Sequence, residues 1–509
     1  MAVKLERLFS VTFSTNWHEK YVDTNKQNNH ILTVGRTYAG IYNDLDGNYI
    51  IIEEKGKEYH LNRDKFGSIP VYYSIKHNLI ATNVSEIAQA IDVSWNVTGV
   101  KEYLDCAYTT FGATIYSDIC VLQPDEFLIV NQSGISVCLL PKTYPKLDEK
   151  FDVGRLEEAI TKSLENVLSV SNGKLILNLS GGNDSSLLLV LLKKIGCSEI
   201  VTNTFYHEDW RNDFDDWYWA ERVSKLYDTT HLLTRINNVS FCAANSKLTQ
   251  KTKNIFHTYA TAFYEQNMAA AAVTNIEDPI INGSGPDEAI IGTEKLSIEQ
   301  LFNMNNLTDE EIIKYTLTAK DYTKVPAHTL NDILVDKEFD LLTHRTLGAE
   351  RLLLGDDFTD YQRKFHSKTV LQDHIKTISE VASALQKPIF FPFLTNDIFD
   401  IIFGTKFQIL NNKNTYKYVI KEILRKYLEN EIVDRTKIGF QSPSRKYFIE
   451  DVGLGKQVKY LMKKNSKVLN MPISRKIIQE RTCANVSLTE RYDFLEWGIY
   501  NILTLEHLG

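Results

Sequence analysis

The stretch from Lys174 to Leu192, KLILNLSGGNDSSLLLVLL, sets small and polar residues between two apolar runs. The first run, ending at Leu179, reads as a buried strand, and the second, from Leu187, as a buried helix. Bare backbone at Ser180, Gly181 and Gly182 lets amide N–H groups approach an anion closely, and Ser185 and Ser186 add hydroxyl donors. At the carboxyl end of a parallel strand, where the next helix begins, that is the chemistry of phosphate binding. Asp184 puts a carboxylate into an anion site, which makes sense when a divalent cation bridges it to the phosphates.

Such a loop needs a parallel sheet behind it, and the chain supplies the pattern. Up to about residue 140, short alternating or β-branched runs such as GNYIIIEE and IPVYYSI are punctuated by turns, the signature of an antiparallel β-rich domain. A polar, proline-containing linker, LLPKTYPKLDEK, follows. Strand-like KLILNL and EIVTNTFYH then alternate with helical stretches, which implies a parallel sheet covered on both faces. From about residue 300 the pattern is mostly helical.

The 509 residues suggest roughly two to four domains. With 43% hydrophobic and 24% charged residues and a net charge of -8, the composition is that of a globular protein for which nucleic acid or anionic membrane is not the expected partner. The N-terminal MAVKLERLFSVTFSTNWHEK lacks an apolar core, and no apolar run reaches about 18 residues, so a cytoplasmic location is expected. Cys106, Cys120, Cys138, Cys197, Cys242 and Cys483 form no CxxC pair and read as free thiols. His18 and His207 lack the second histidine of a zinc helix, and GLGK at Gly453 to Lys456 lacks the spacing of a Walker loop and reads as a turn.

The SGGNDSS loop is a PP-loop, and the chain resembles the asparagine synthetase superfamily along nearly its whole length. LDGNYIII, RDKFGSIPVYY and TNVSEIAQAI resemble the family's glutaminase-type domain. INGSGPDEAIIG, FPFLTNDIFDII, YKYVIKEIL and DRTKIGFQSP follow the loop in the family's order. The resemblance implies a mixed α/β and α+β chain. Residues 1–145 would form a degenerate Ntn-hydrolase-like antiparallel β-sandwich with helices. Residues 150–509 would form a parallel-sheet PP-loop α/β domain with a largely helical tail. It also implies a two-step ligase: a carboxylate attacks the α-phosphate of ATP, pyrophosphate leaves, and an amine displaces AMP to give an amide. Ser180, Gly181, Gly182, Ser185 and Ser186 would cradle the phosphates, with Lys417 facing them. Asp184 and Asp287 would hold Mg2+, and Lys437 would stabilise the transition states. Asp373 and Glu380 fall in the helical stretch where relatives place a carboxylate for the amine, and the register leaves neither assigned.

Three departures bear on function. Glutamine-using members carry a cysteine directly after the initiator methionine, where this chain has Ala2, so no glutamine hydrolysis is expected. Ser284 stands where asparagine synthetases have Glu and β-lactam synthetases Tyr; it is a candidate catalytic position, but its hydroxyl is no strong base. Phe390 and Thr395 replace the Arg and Asp that flank PFL and help define an aspartate site. The resemblance therefore leans to the lasso peptide macrolactam synthetases, with a peptide or small carboxylate as substrate and a precursor-peptide protease as a partner. An ammonia-using asparagine synthase-like enzyme and a non-catalytic ATP-binding scaffold are the alternatives.

Overall fold

The computed structural model describes residues 2–5, 9–12, 19–24, 29–39, 46–140, 144–147, 151–171, 174–208, 215–292, 298–304, 307–318, 331–335, 349, 357–412, 415–436, 444–481 and 494–508. The N-terminal half builds two sheets. One runs in the order Ala2–Leu5, Phe9–Thr12, Leu79–Ala81, Tyr72–Ser74, Cys120–Val121, and the other in the order Gly134–Leu139, Glu126–Asn131, Glu58–Arg63, Asp46–Lys55, Asn29–Ala39, Glu19–Thr24. Pairing is antiparallel throughout, as the alternating runs predict, except that Phe9–Thr12 lies parallel to Leu79–Ala81. Ile50, Ile52, Leu61, Leu128 and Val130 point to one shared interior, each at 2% exposure or less, which is the period-two pattern of a one-sided sheet.

The C-terminal half holds a five-stranded parallel sheet in the order Thr230–Ile236, Glu199–His207, Lys174–Asn178, Ile280–Ile281, Ile389–Phe390. Lys174–Asn178 is first in sequence and central in space. Later strands are added on one side of it and then on the other, so the direction of winding reverses between it and Ile280–Ile281. Ligands bind at such a reversal, outside the carboxyl ends of the strands. Leu175, Ile176, Leu177 and Leu179 on the central strand, and Leu187 to Leu192 on the helix after it, are all essentially inaccessible. That explains a run apolar on every face: both elements are covered from both sides.

The two halves share their packing. Tyr72, Val100 and Tyr103 of the first join Phe241, Trp497 and Tyr500 of the second in one apolar cluster. The Tyr103 hydroxyl and the Trp497 indole N–H both donate to the Phe256 carbonyl, at 2.5 and 2.7 Å. Gly453 to Lys456 opens the helix Gly453–Leu461 rather than forming a free turn, with Gly453 at φ 45° because its backbone lies against Asn238. The five described cysteines are free thiols, and no helix among the described residues is long and apolar enough to cross a membrane.

Candidate active site

The PP-loop leaves the central strand as a tight corner. Gly181 has φ 68°, and a Cβ there would stand 2.5 Å from the Ala220 nitrogen and 2.7 Å from the Asp216 carbonyl oxygen, so only glycine fits. The corner is locked from behind by Arg435, whose side chain is 5% exposed. Its Nε donates to the Gly181 carbonyl at 2.8 Å, and its Nη1 pairs with Asp216 at 2.9 Å. Within the loop, the Ser180 N–H donates to the Ser185 hydroxyl at 3.1 Å, and that hydroxyl turns back to the Gly182 carbonyl at 3.3 Å.

The helix Asn183–Lys194 starts at Gly182 with no side-chain cap. Its first-turn N–H groups and its positive dipole end are thus left for a ligand, while Ser180 is exposed and Gly182, Asn183 and Asp184 are half-buried. Ser185 and Ser186 lie deeper, at 5% and 1% exposure, and the Ser186 hydroxyl makes no hydrogen bond among the described residues.

Across the reversal point, Ile280–Ile281 runs into the loop that carries Ser284 and Asp287. Ser284 turns inward: its N–H and hydroxyl both donate to the Asn282 side-chain oxygen, at 2.9 and 2.6 Å. Gly285, at φ 125°, passes so close to Leu394 that a Cβ would meet it at 2.8 Å. Asp287 then opens a π-helical turn, Asp287–Ile291, an irregularity often found at functional sites. That turn is pinned by two buried side chains. Arg363 Nε donates to the Ala289 carbonyl at 2.7 Å, and Asn411 Nδ2 to the Ile290 carbonyl at 2.9 Å.

Asn411 also accepts from the backbone N–H of Lys417 at 2.8 Å, with Lys417 itself in the left-handed region at φ 51°. One buried amide therefore sets Lys417 relative to Asp287. The result is convergence: Lys417 Nζ lies 2.5 Å from Asp184 Oδ2 and 2.6 Å from Asp287 Oδ1, with the lysine side chain only 8% exposed. The structure thus brings together the loop, Asp184, Asp287 and Lys417. Ser284 stands beside them, and Lys437 lies outside the described residues.

Two carboxylates that already meet on one cation suit a divalent ion, which takes one or two carboxylates and completes its shell with phosphate oxygens and water. No group of three or more His, Cys, Asp or Glu side chains with metal-holding geometry occurs among the described residues.

The two carboxylates considered for the amine are engaged elsewhere. Asp373 pairs with Lys376 at 2.9 Å, and Glu380 accepts from the Tyr72 hydroxyl and from Asn254 Nδ2, at the contact with the N-terminal half. Phe390 is core at 1% exposure. Thr395 caps the helix Asn396–Phe403 by accepting from the Ile398 N–H at 3.4 Å. The sequence reading missed Arg435 and Asn411. Arg435 sits two residues before Lys437 in the quoted DRTK, and only the fold reveals that it faces the back of the loop.

A cavity of about 320 Å³ lies between the halves, lined by Gly285 and Pro286 of the same loop, by Tyr49 and Phe66 of the N-terminal half, and by Phe393, Leu394 and Phe399 after the last strand. None of residues 180–186, all of them described, lines it.

A phosphate-ready loop and a facing carboxylate at the reversal of a parallel sheet define a nucleotide-using PP-loop enzyme. The asparagine synthase profile matches residues 155–484, and the glutamine amidotransferase domain profile matches residues 29–144. The chain belongs to the asparagine synthase family and is an ATP-using ligase of the PP-loop type. Among solved structures it is similar to the NH3-dependent NAD synthetase of Campylobacter jejuni in complex with the nitrate ion, at 13% identity, covering 40% of this chain and 99% of that one with a TM-score of 0.23. No curated protein matches it in sequence.

Proposed function

We propose that the chain activates a carboxylate on a peptide as an acyl adenylate and joins it to the amine of the same peptide, closing a macrolactam. The observation that carries the ligase chemistry is the convergence of Asp184 and Asp287 on Lys417 at the sheet reversal, next to an uncapped helix start. In this reading the first-turn N–H groups and Ser180 bind the phosphates of ATP. Asp184 and Asp287 would hold Mg2+, which when bound neutralises charge on the departing pyrophosphate. Lys417 keeps the two carboxylates in register, and Lys437 would stabilise the adenylation and amide-forming transition states.

Support for a bulky acyl substrate comes from what surrounds the site. Phe390 and Thr395 serve the core and a helix cap and so offer no charged pair for a small amino acid. The aromatic cavity beside Gly285 and Pro286 has room for side chains instead. A substrate inside this cavity and ATP on the loop would approach the Ser284–Asp287 segment from its two sides.

The test is a panel of peptides with a free N-terminus and one internal Asp or Glu, incubated with ATP and Mg2+. A peptide that loses one water while AMP and pyrophosphate appear in equal amounts supports the proposal. ADP and phosphate as products, or turnover with aspartate and ammonium above that with every peptide, would overturn it.

A further inference from the structure

The carboxylates nearest in sequence to the expected position of a base are spent elsewhere, yet one titratable pair stands beside Asp287 without an assigned task. Glu288, the next residue, is buried at 7% exposure, and its Oε1 lies 2.9 Å from Nδ1 of His374. The imidazole itself is not buried: its side chain is 37% exposed. A buried carboxylate bonded to one nitrogen of a solvent-facing imidazole fixes the ring and its tautomer and leaves Nε2 pointing the opposite way. That is the arrangement of an oriented general base.

The topology puts this pair on the reactive side of the sheet. Helix Val370–Ala384 leads into strand Ile389–Phe390, and helix Thr258–Ala271 leads into strand Ile280–Ile281. Helices that return to a parallel sheet end at its amino edge, and here Lys387 and Thr274, beyond the two helix ends, meet there at 2.8 Å. Their N-terminal ends, where His374 and Tyr259 sit within the first five residues, therefore stand at the carboxyl edge with Asp184 and Asp287.

We propose that His374, held by Glu288, is the general base that receives the proton of the attacking amine. This rests on the amide-forming reading above. In the step, the amine nitrogen forms a bond to the acyl carbon, the carbon–oxygen bond to AMP breaks, and AMP leaves with that electron pair. The proton shed by nitrogen passes to Nε2 and then to solvent.

The surroundings suit the role. Partial burial works against the imidazolium, but the hydrogen bond and charge of Glu288 raise the His374 pKa above its ordinary value and make it the stronger base. His257 is pushed down to about 3 by burial and by the charge of His374, so it stays neutral. Tyr259 lies edge-on to the His374 ring, with centroids 5.3 Å apart. Glu288 acts as a positioning residue.

The experiment compares three activities on the peptide panel with ATP and Mg2+: pyrophosphate exchange, amide formation by the peptide amine, and hydroxamate formation with added hydroxylamine. Hydroxylamine is already unprotonated at neutral pH and traps an acyl adenylate without a protein base. His374→Asn retains a donor toward Glu288 and removes Nε2. It should lower amide formation by about 10²- to 10⁴-fold while exchange and hydroxamate formation stay at the wild-type level. His374→Gln is the second variant should the first not fold, with the same expectation. Glu288→Gln, whose amide oxygen still accepts from Nδ1–H, should retain more amide formation than Glu288→Ala. Amide formation near the wild-type rate in a folded His374 variant, or an equal fall in all three activities, would overturn the assignment. Wild-type protein that gives neither exchange nor hydroxamate with any peptide would overturn the synthetase reading and the base with it.

Discussion

Two carboxylate clusters in this chain are treated in opposite ways. Asp184 and Asp287, with side chains 16% and 37% exposed, share one ammonium, that of Lys417, at the open end of a sheet. Glu380, 2% exposed, is met by the neutral Tyr72 hydroxyl and Asn254 amide, and no cation pairs with it among the described residues. Burial pushes its pKa well above the ordinary value, which favours the neutral acid at this contact between the two halves. Charge is kept where a charged ligand arrives and suppressed where two surfaces must stay closed. A buried ion without a partner would cost more than the hydrogen bonds it makes.

The first way to break the contrast is to remove charge from the first cluster. Asp184→Asn or Asp287→Asn keeps the shape and leaves Lys417 with one carboxylate. Carboxylate-dependent pyrophosphate exchange should fall to background in both, since charge on the departing pyrophosphate is no longer balanced. Exchange retained in either variant would mean that its carboxylate is as passive as Glu380. Lys437→Met tests the proposed role of this lysine in stabilising the transition state, where one donor is worth about 3 to 4 kcal/mol, or roughly 10²- to 10³-fold in turnover. ATP affinity by calorimetry should stay near wild type. A folded variant that no longer binds ATP would move Lys437 from the reacting atoms to ground-state binding.

What could be read from the chain alone divides along the same line. The PP-loop was legible because its chemistry is local: strand, Ser-Gly-Gly and uncapped helix start are contiguous, and the positive φ of Gly181 belongs to the turn itself, whereas its crowding by Asp216 and Ala220 comes from a separate helix and was not legible. The antiparallel and parallel halves were legible from alternation and its loss. The parallel pairing of Phe9–Thr12 with Leu79–Ala81 was not, because the two strands are far apart in sequence and nothing local specifies a partner. Arg435 behind Gly181, Asn411 linking Lys417 to the π-helical turn, and the Glu288–His374 pair are contacts between segments from 86 to 254 positions apart, or depend on such contacts. Glu380 reads in sequence as a candidate base because a helical glutamate before PFL carries no local sign of the face it turns to. Only the packing of Tyr72 against it shows that it faces the other half.

The smallest expected effect sharpens the second cluster. If Glu380 is a neutral acid in the fold, its folded pKa lies above its unfolded one. Below the ordinary value for Glu, about 4.3, both states are protonated and no penalty exists. As pH rises through that value the unfolded chain releases the proton while the folded chain holds it, so stability falls until the folded pKa is passed. The slope in that window is about 1.4 kcal/mol per pH unit for one group, modest for a chain of 509 residues. Glu380→Gln is neutral at every pH, and its side-chain oxygen still accepts from Tyr72 and Asn254. Denaturant melts from acid to mildly alkaline pH should show wild type losing stability against the variant as pH climbs, with the two closest at the acid end. A wild-type curve parallel to that of the variant would mean that Glu380 is ionised in the fold, and the contrast between a shared charge and a suppressed one would fail.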